Sequence, residues 1–258
     1  MNGERQRIAI RRESDVLVLM LDRPDARNAL DPDTVQELGR WIREPGEGVH
    51  AIVITGSPPV FCAGGDLAYL RDVMTQDAIQ AADSIYKNFH ALVRTMLSSK
   101  IPLIAAVNGP ALGAGLDLAL ACDLRIAAAN ATFASTWIRL GLATGMGGSW
   151  LLARAIGGGR AAEMLLLGEP ITAERAEQIG LVNRVVPYEH GLLEEAIAMA
   201  KKLAALPPRA VSATRASLRR AVDMGFDMEL QMLGVVQGTL FASEDFAKAA
   251  DKFLKPRT

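Results

Sequence analysis

The sequence predicts an α/β fold that finishes in an all-helical region. Three observations predict it. Short, mainly apolar runs recur at 16–21, 51–55, 103–107 and 124–128, the last interrupted by Arg125, the pattern of buried strands. Segments with helical spacing separate them up to about residue 190, and beyond that point only helical patterns remain. Half of the 258 residues are apolar, enough to bury a large core. The expected division is a core domain over 1–190 and a helical region over 191–258.

Val16 to Leu21 is the first strand, followed by a polar turn, Asp22-Arg-Pro-Asp-Ala-Arg-Asn-Ala-Leu30. Asp33 or a neighbour caps the next helix, where Val35, Leu38, Trp41 and Ile42 recur on one side. Pro45-Gly46 stops it, and Ala51 to Thr55 is the second strand. A turn-rich loop follows, Gly56-Ser-Pro-Pro-Val-Phe-Cys-Ala-Gly-Gly-Asp-Leu67. Open α/β sheets bind ligands beyond such strand ends. Its paired glycines allow close backbone approach.

A long helix is expected from about Asp77 to Ser98, with Ile85, Phe89, Leu92, Val93 and Met96 on its apolar side. Leu103 to Val107 then leads into Asn108-Gly-Pro-Ala-Leu-Gly-Ala-Gly-Leu-Asp-Leu-Ala-Leu-Ala-Cys-Asp123. Within it Leu116 to Ala121 reads as a short buried helix with Ala114 at its entrance. The first N–H groups of a helix have no internal partner and sit at the positive end of its dipole. The Ala114 N–H is therefore a candidate donor to an oxygen that gains negative charge. Asp117, three residues on, stands on the same face. It is either a reacting carboxylate or simply a complement to the helix dipole.

Leu124 to Ala128 is the next strand, and Ala131 to Ile138 is irregular or extended. Gly141 to Gly148 is glycine-dense but has no Gly-Lys-Ser/Thr, so it is not a phosphate loop of the Walker type. A helix follows from about Ser149 to Ile156, and Gly157-Gly-Gly159 separates it from 160–167. Thr172 caps a helix through Ile179, and Leu181 to Val186 is a short strand. Four helices close the chain, at roughly 192–206, 208–224, 226–241 and 244–254.

The formal net charge of −1 gives no electrostatic case for nucleic acid or an anionic membrane as partner. The lysines and arginines between Lys201 and Arg220 are expected on a solvated or subunit-contact face. The stretches are too short and too charged for a membrane span or a secretory leader. The two cysteines, Cys62 and Cys122, lie far apart, and no Cys/His cluster has metal-ligand spacing. A reduced, cytoplasmic protein with no metal is expected.

Four motifs in order give a resemblance. Ile101-Pro-Leu-Ile-Ala-Ala-Val-Asn-Gly-Pro-Ala-Leu-Gly-Ala-Gly-Leu-Asp-Leu-Ala is similar to the signature of the crotonase, or enoyl-CoA hydratase/isomerase, superfamily. Arg23-Pro-Asp-Ala-Arg-Asn-Ala-Leu30, Phe61-Cys-Ala-Gly-Gly-Asp-Leu67 and Gly180-Leu-Val-Asn-Arg-Val-Val186 match as well. The resemblance implies a crotonase-like spiral of ββα units with C-terminal helices that assemble a homotrimer, or a hexamer as a dimer of trimers. It implies an acyl-CoA thioester as substrate, with coenzyme A part of that substrate and no separate cofactor.

By position, the family's oxyanion-hole donors fall on the Gly65 and Ala114 amides. Ala114 stands where relatives commonly carry Gly. Its first carboxylate falls on Asp117, where hydratases usually carry Glu, and its second on Trp137, whose indole exchanges no proton at neutral pH. A third position used by some relatives falls on Gly145. Trp137, Leu67 and Gly145 are expected around the acyl group. Arg27 and Ala63 are expected along coenzyme A, with Lys252 and Lys255 reaching a CoA phosphate. Asp66 is expected to be structural, and His90 to have a core or helix-surface role. Three activities stay open: water addition to an enoyl-CoA, double-bond isomerisation alone with Asp117, or acyl-CoA binding with weak catalysis.

Overall fold

The computed structural model describes residues 6–187, 191–221 and 223–254. The chain opens with β1 (Ile8–Glu13) and β2 (Val16–Leu21), then α1 (Pro32–Arg43) and β3 (Ala51–Gly56). Next come α2 (Leu67–Met74), α3 (Ala78–Ile85), a π turn over Tyr86–His90 and α4 (Ala91–Ser98). β4 (Leu103–Val107), β5 (Ala111–Leu112), α5 (Ala114–Ala121), β6 (Leu124–Ala128) and β7 (Thr132–Ala134) follow. A 3-10 turn over Thr136–Leu140 leads to α6 (Gly148–Ile156) and α7 (Gly158–Leu167), then β8 (Ile171–Thr172), α8 (Ala173–Gln178) and β9 (Arg184–Val186). The helices α9 (Leu192–Ala204), α10 (Pro208–Arg220), α11 (Phe226–Phe241) and α12 (Glu244–Leu254) complete it.

Six strands form one sheet in the order β1-β2-β3-β4-β6-β9, and three form a second in the order β5-β7-β8. β1 and β2 are antiparallel, and every later pairing in the larger sheet is parallel. Consecutive strands β4 and β5, then β6 and β7, go to opposite sheets, so the chain advances as a spiral. The apolar runs are buried on both faces because helices cover both. Alternation sends Leu17, Leu19, Leu21, Ile52, Ile54, Leu103, Ala105 and Val107 toward α1, α4 and α5. The intervening Val16, Val18, Ala51, Val53, Ile104, Ala106, Ile126 and Ala128 meet α9.

Four expectations change. The division at 190 does not follow the packing, because Leu192, Ala196, Ile197 and Ala200 of α9 cover the second face of the sheet. The helices outside the core layer begin with α10. β1 has no counterpart among the predicted strands, since its edge position leaves Arg11 and Arg12 exposed and breaks the apolar run. α2 begins inside the expected loop, where Asp66 Oδ1 accepts from the Ala68 amide at 2.9 Å. The basic stretch is not simply a solvated face. Arg215 is 6% exposed, and its Nε donates to Asp123 Oδ2 at 2.5 Å and its Nη2 to the Met96 carbonyl at 2.8 Å. Its Nη1 donates to the Ser99 carbonyl, and Arg219 Nη2 adds a second bond to Asp123 at 2.9 Å. This cluster fixes α10 to the core.

Smaller details follow expectation. Asp31 caps α1, accepting from the Thr34 amide, and Thr172 caps α8, accepting from the Arg175 amide. Among the described residues, no helix is long and apolar enough to cross a membrane.

Candidate active site

Two bends carry the site. In the first, the amides of Cys62, Ala63 and Asp66 donate to the carbonyls of Pro110, Arg27 and Leu30 at 3.1, 3.0 and 2.9 Å. The Gly65 amide between them has no backbone acceptor among the described residues. In the second, Gly113 turns with φ +52°, and a Cβ there would stand 2.9 Å from Thr136 Oγ1. That turn delivers Ala114 as the first residue of α5, fully buried, with its amide also lacking a backbone acceptor among the described residues. The bends touch: a Cβ on Gly64 would lie 2.9 Å from the Leu112 carbonyl oxygen and 3.6 Å from the Ala114 nitrogen. Both unused donors thus border one cavity of about 420 Å³.

Arg27, Ala63, Gly65, Leu67, Ala114 and Trp137 all line that cavity, together with Leu70 and Leu140. Leu67, at 66% exposure, lies at its open side. Gly145 does not line it. It packs against the indole of Trp137, where a Cβ would come within 3.2 Å of Cη2. Its carbonyl meets His90 Nε2 at 3.0 Å, so the π turn is tied to the loop behind the indole. Lys255 and the side chain of Lys252 lie outside the described residues.

Asp117 departs furthest from expectation. It lies three residues after Ala114 in α5, yet it is 1% exposed and, unlike Ala114, absent from the cavity lining. Trp137 stands between: its ring lines the cavity while its Nε1 donates to Asp117 Oδ2 at 3.1 Å. Thr144 Oγ1 donates to the same oxygen at 2.8 Å and the Met146 amide at 3.3 Å. Oδ1 is buried with no partner among the described residues. Burial pushes the carboxyl up from 3.8 to about 6, against the pull of the Thr144, Met146 and Trp137 hydrogen bonds.

Asp66 contrasts with it. Burial there is outweighed by the bond from Arg23 and the amides of Tyr69 and Ala68, which together hold its carboxyl below the usual range. It caps α2 and pairs with Arg23 at 2.8 Å. Cys62 and Cys122 are buried free thiols, each pushed up to about 12 chiefly by burial, so neither is a nucleophile at neutral pH. The residues that sequence reasoning did not single out are Thr144, Met146 and Gly148. The glycine-dense loop carrying them was visible, but nothing in it pointed to Asp117.

A mixed sheet and a smaller sheet threaded as a spiral, with a cavity between two glycine bends, define the crotonase class of α/β proteins. The chain belongs to the enoyl-CoA hydratase/isomerase family, whose profile matches residues 11–258. It is 36% identical over 253 residues to the 2,3-dehydroadipyl-CoA hydratase of Escherichia coli, covering 97% of this chain and 96% of that protein. A probable enoyl-CoA hydratase of Mycobacterium tuberculosis is 35% identical over 252 residues, covering 97% and 95%. Among solved structures, a Geobacillus kaustophilus enoyl-CoA hydratase subunit superposes with a TM-score of 0.89 at 36% identity, covering 98% of each chain. An enoyl-CoA hydratase from Polaromonas superposes at 0.91 with 33% identity, covering 96% of each.

Proposed function

We propose that this chain binds an acyl-CoA thioester in the cavity between the two bends and acts on the double bond of an enoyl-CoA. Removing a proton from the carbon next to a thioester carbonyl, or adding water's oxygen to the β-carbon of an enoyl thioester, places negative charge on the carbonyl oxygen, and protonation of the α-carbon then discharges it. The Gly65 and Ala114 N–H groups stabilise that oxygen, and each such donor is worth on the order of 3 kcal/mol in the transition state. The observation that carries this reading is a pair of amides, in half-buried Gly65 and buried Ala114, without a backbone acceptor among the described residues and belonging to residues that line one cavity. Asp66 also lines the cavity but is held by Arg23 and by the cap of α2. By its place in the family pattern, Asp117 is the carboxylate assigned to proton transfer. Its elevated pKa suits an acid/base group near neutral pH. The hydratase names of the relatives favour water addition. The presence of Trp137 at the second acid position favours isomerisation, which needs only one group to take and return a proton.

A second reading rests on one specific observation. Asp117 is shut behind the Trp137 ring, which favours a protein that binds the thioester and turns it over weakly. Arg27 and Ala63 flank the cavity where the coenzyme would leave it. The assembly we propose is a homotrimer, or a hexamer of paired trimers. It is supported by α11, where Phe226, Met228, Leu230, Val235 and Phe241 are all at least half exposed.

The deciding experiment measures hydration of a short 2-enoyl-CoA and isomerisation of a 3-enoyl-CoA by the wild type and by Asp117→Asn. Loss of turnover with retained ester binding supports Asp117 as the acid/base group. Ester binding with no turnover in either protein supports the second reading. An unchanged variant removes Asp117 from the mechanism.

A further inference from the structure

The hydrogen bonds around Asp117 are lopsided. All three donors, from Trp137, Thr144 and Met146, converge on Oδ2, while Oδ1 has none among the described residues. Oδ1 is packed against the start of α6: a Cβ on Gly148 would fall 2.0 Å from it. Thr144 has a double engagement. Its Oγ1 accepts from the Gly148 amide at 2.9 Å and donates to Asp117 Oδ2 at 2.8 Å. A threonine hydroxyl carries one proton, and an ionised carboxylate can only accept. With the Gly148 N–H occupying a lone pair, the hydroxyl proton is committed to Asp117. Gly148 is the first residue of α6, so this amide belongs to the positive end of a nine-residue helix.

We propose that Thr144 is a positioning residue that couples the Asp117 carboxylate to the N-terminus of α6. Through that coupling it holds the Trp137 ring as the wall of the acyl cavity. The chain of bonds runs from the Gly148 N–H to the Thr144 hydroxyl, to Asp117 Oδ2, with the indole N–H joining at the same oxygen. The coupling favours the ionised carboxylate, because the Thr144 bond and the helix dipole both stabilise negative charge on Oδ2. A proton taken up by Asp117 goes to Oδ1, the oxygen left without donors. The consequence for turnover rests on the reading of Asp117 as the reacting carboxylate; the coupling itself does not.

Charged groups on the neighbouring elements are engaged elsewhere. On the helix preceding α5, His90 meets the Gly145 carbonyl and Arg94 lies over the Tyr86 ring. On α6, Arg154 lies over Trp150 and pairs with Asp223. Cys62, whose carbonyl would lie 2.3 Å from a Cβ on Gly115, is neutral.

The test uses the indole N–H of Trp137 as a reporter, followed by nitrogen-15 NMR from pH 4.5 to 8 in the ligand-free protein. Its resonance is assigned by its loss in Trp137→Phe. In the wild type it is expected to follow the Asp117 carboxyl, which burial pushes up to about 6. Thr144→Val keeps the shape but removes the donor, and the midpoint is expected to rise by about one to two pH units. Thr144→Ser restores the wild-type midpoint. If the valine variant does not fold, Thr144→Ala is read in the same way. An unmoved midpoint in a folded valine or alanine variant overturns the proposal, as does a serine variant that titrates like valine. Enoyl-CoA turnover is measured in parallel, where the valine variant is expected to lose kcat with KM little changed. A wild type without turnover refutes the functional reading, and the NMR midpoint still decides the coupling.

Discussion

Replacing Asp117 by Asn gives a stability change that can be worked out before any substrate is known. The carboxyl goes from an ordinary 3.8 to about 6 in the folded protein, a step of roughly two pH units. At 1.36 kcal/mol for each unit, that step is roughly 3 kcal/mol. The sign follows from proton counting. Between those two values the folded chain holds the Asp117 proton and the unfolded chain has released it, so stability falls as pH rises. The stabilising contribution of the proton is complete below about pH 3.8 and lost above about pH 6. Asn has no proton to lose. Urea unfolding of both proteins at fixed concentration, stepped from pH 4.5 to 7.5, therefore isolates this one group, because the other titrations cancel in the difference. The wild type should lose about 2 kcal/mol against Asp117→Asn across that range. A difference flat with pH would refute the argument that burial outweighs the three hydrogen bonds.

Three other substitutions probe separate parts of the fold and site. Gly148→Ala would set a methyl 2.0 Å from Asp117 Oδ1 and 2.5 Å from Thr144 Oγ1. The expected loss is about 1–3 kcal/mol, read as a lower melting temperature with altered Trp137 fluorescence. Arg215→Ala strips donors from Asp123 and from the Met96 and Ser99 carbonyls. It should cost about 3–5 kcal/mol in chemical unfolding, and Arg215→Lys should not restore it, lacking the planar fork. Ala114→Pro removes one N–H at the first position of α5, which tolerates proline. It should lower turnover of an enoyl-CoA by about 10²–10³-fold while the circular dichroism spectrum is kept.

What the sequence made legible depended on how local the cause was. The strands β2, β3 and β4, which lie between two helical layers, announce themselves as apolar runs, and the cap at Thr172 lies within three residues of the amide it binds. The edge strand β1 was hidden because solvent faces half of it, which lets Arg11 and Arg12 interrupt the pattern. The glycine bends at Gly64–Gly65 and Gly113 were readable as places of close backbone approach, and the fold brings them into contact. The environment of Asp117 was not readable. Its partners arrive from 20, 27 and 29 residues downstream, and no local pattern records that a tryptophan N–H and a threonine hydroxyl meet there. The Arg215–Asp123 pair spans 92 residues, so the basic stretch alone could not reveal its carboxylate.

The central claim is that two main-chain amides meet at one oxygen of a thioester. A crystal structure of the protein with a non-reactive acyl-CoA tests it most directly. The account predicts the thioester oxygen at roughly 2.7–3.1 Å from both the Gly65 and the Ala114 nitrogen, with the acyl group against Trp137. An acyl-CoA bound with that oxygen facing solvent or a side chain, or bound outside this cavity, would contradict it.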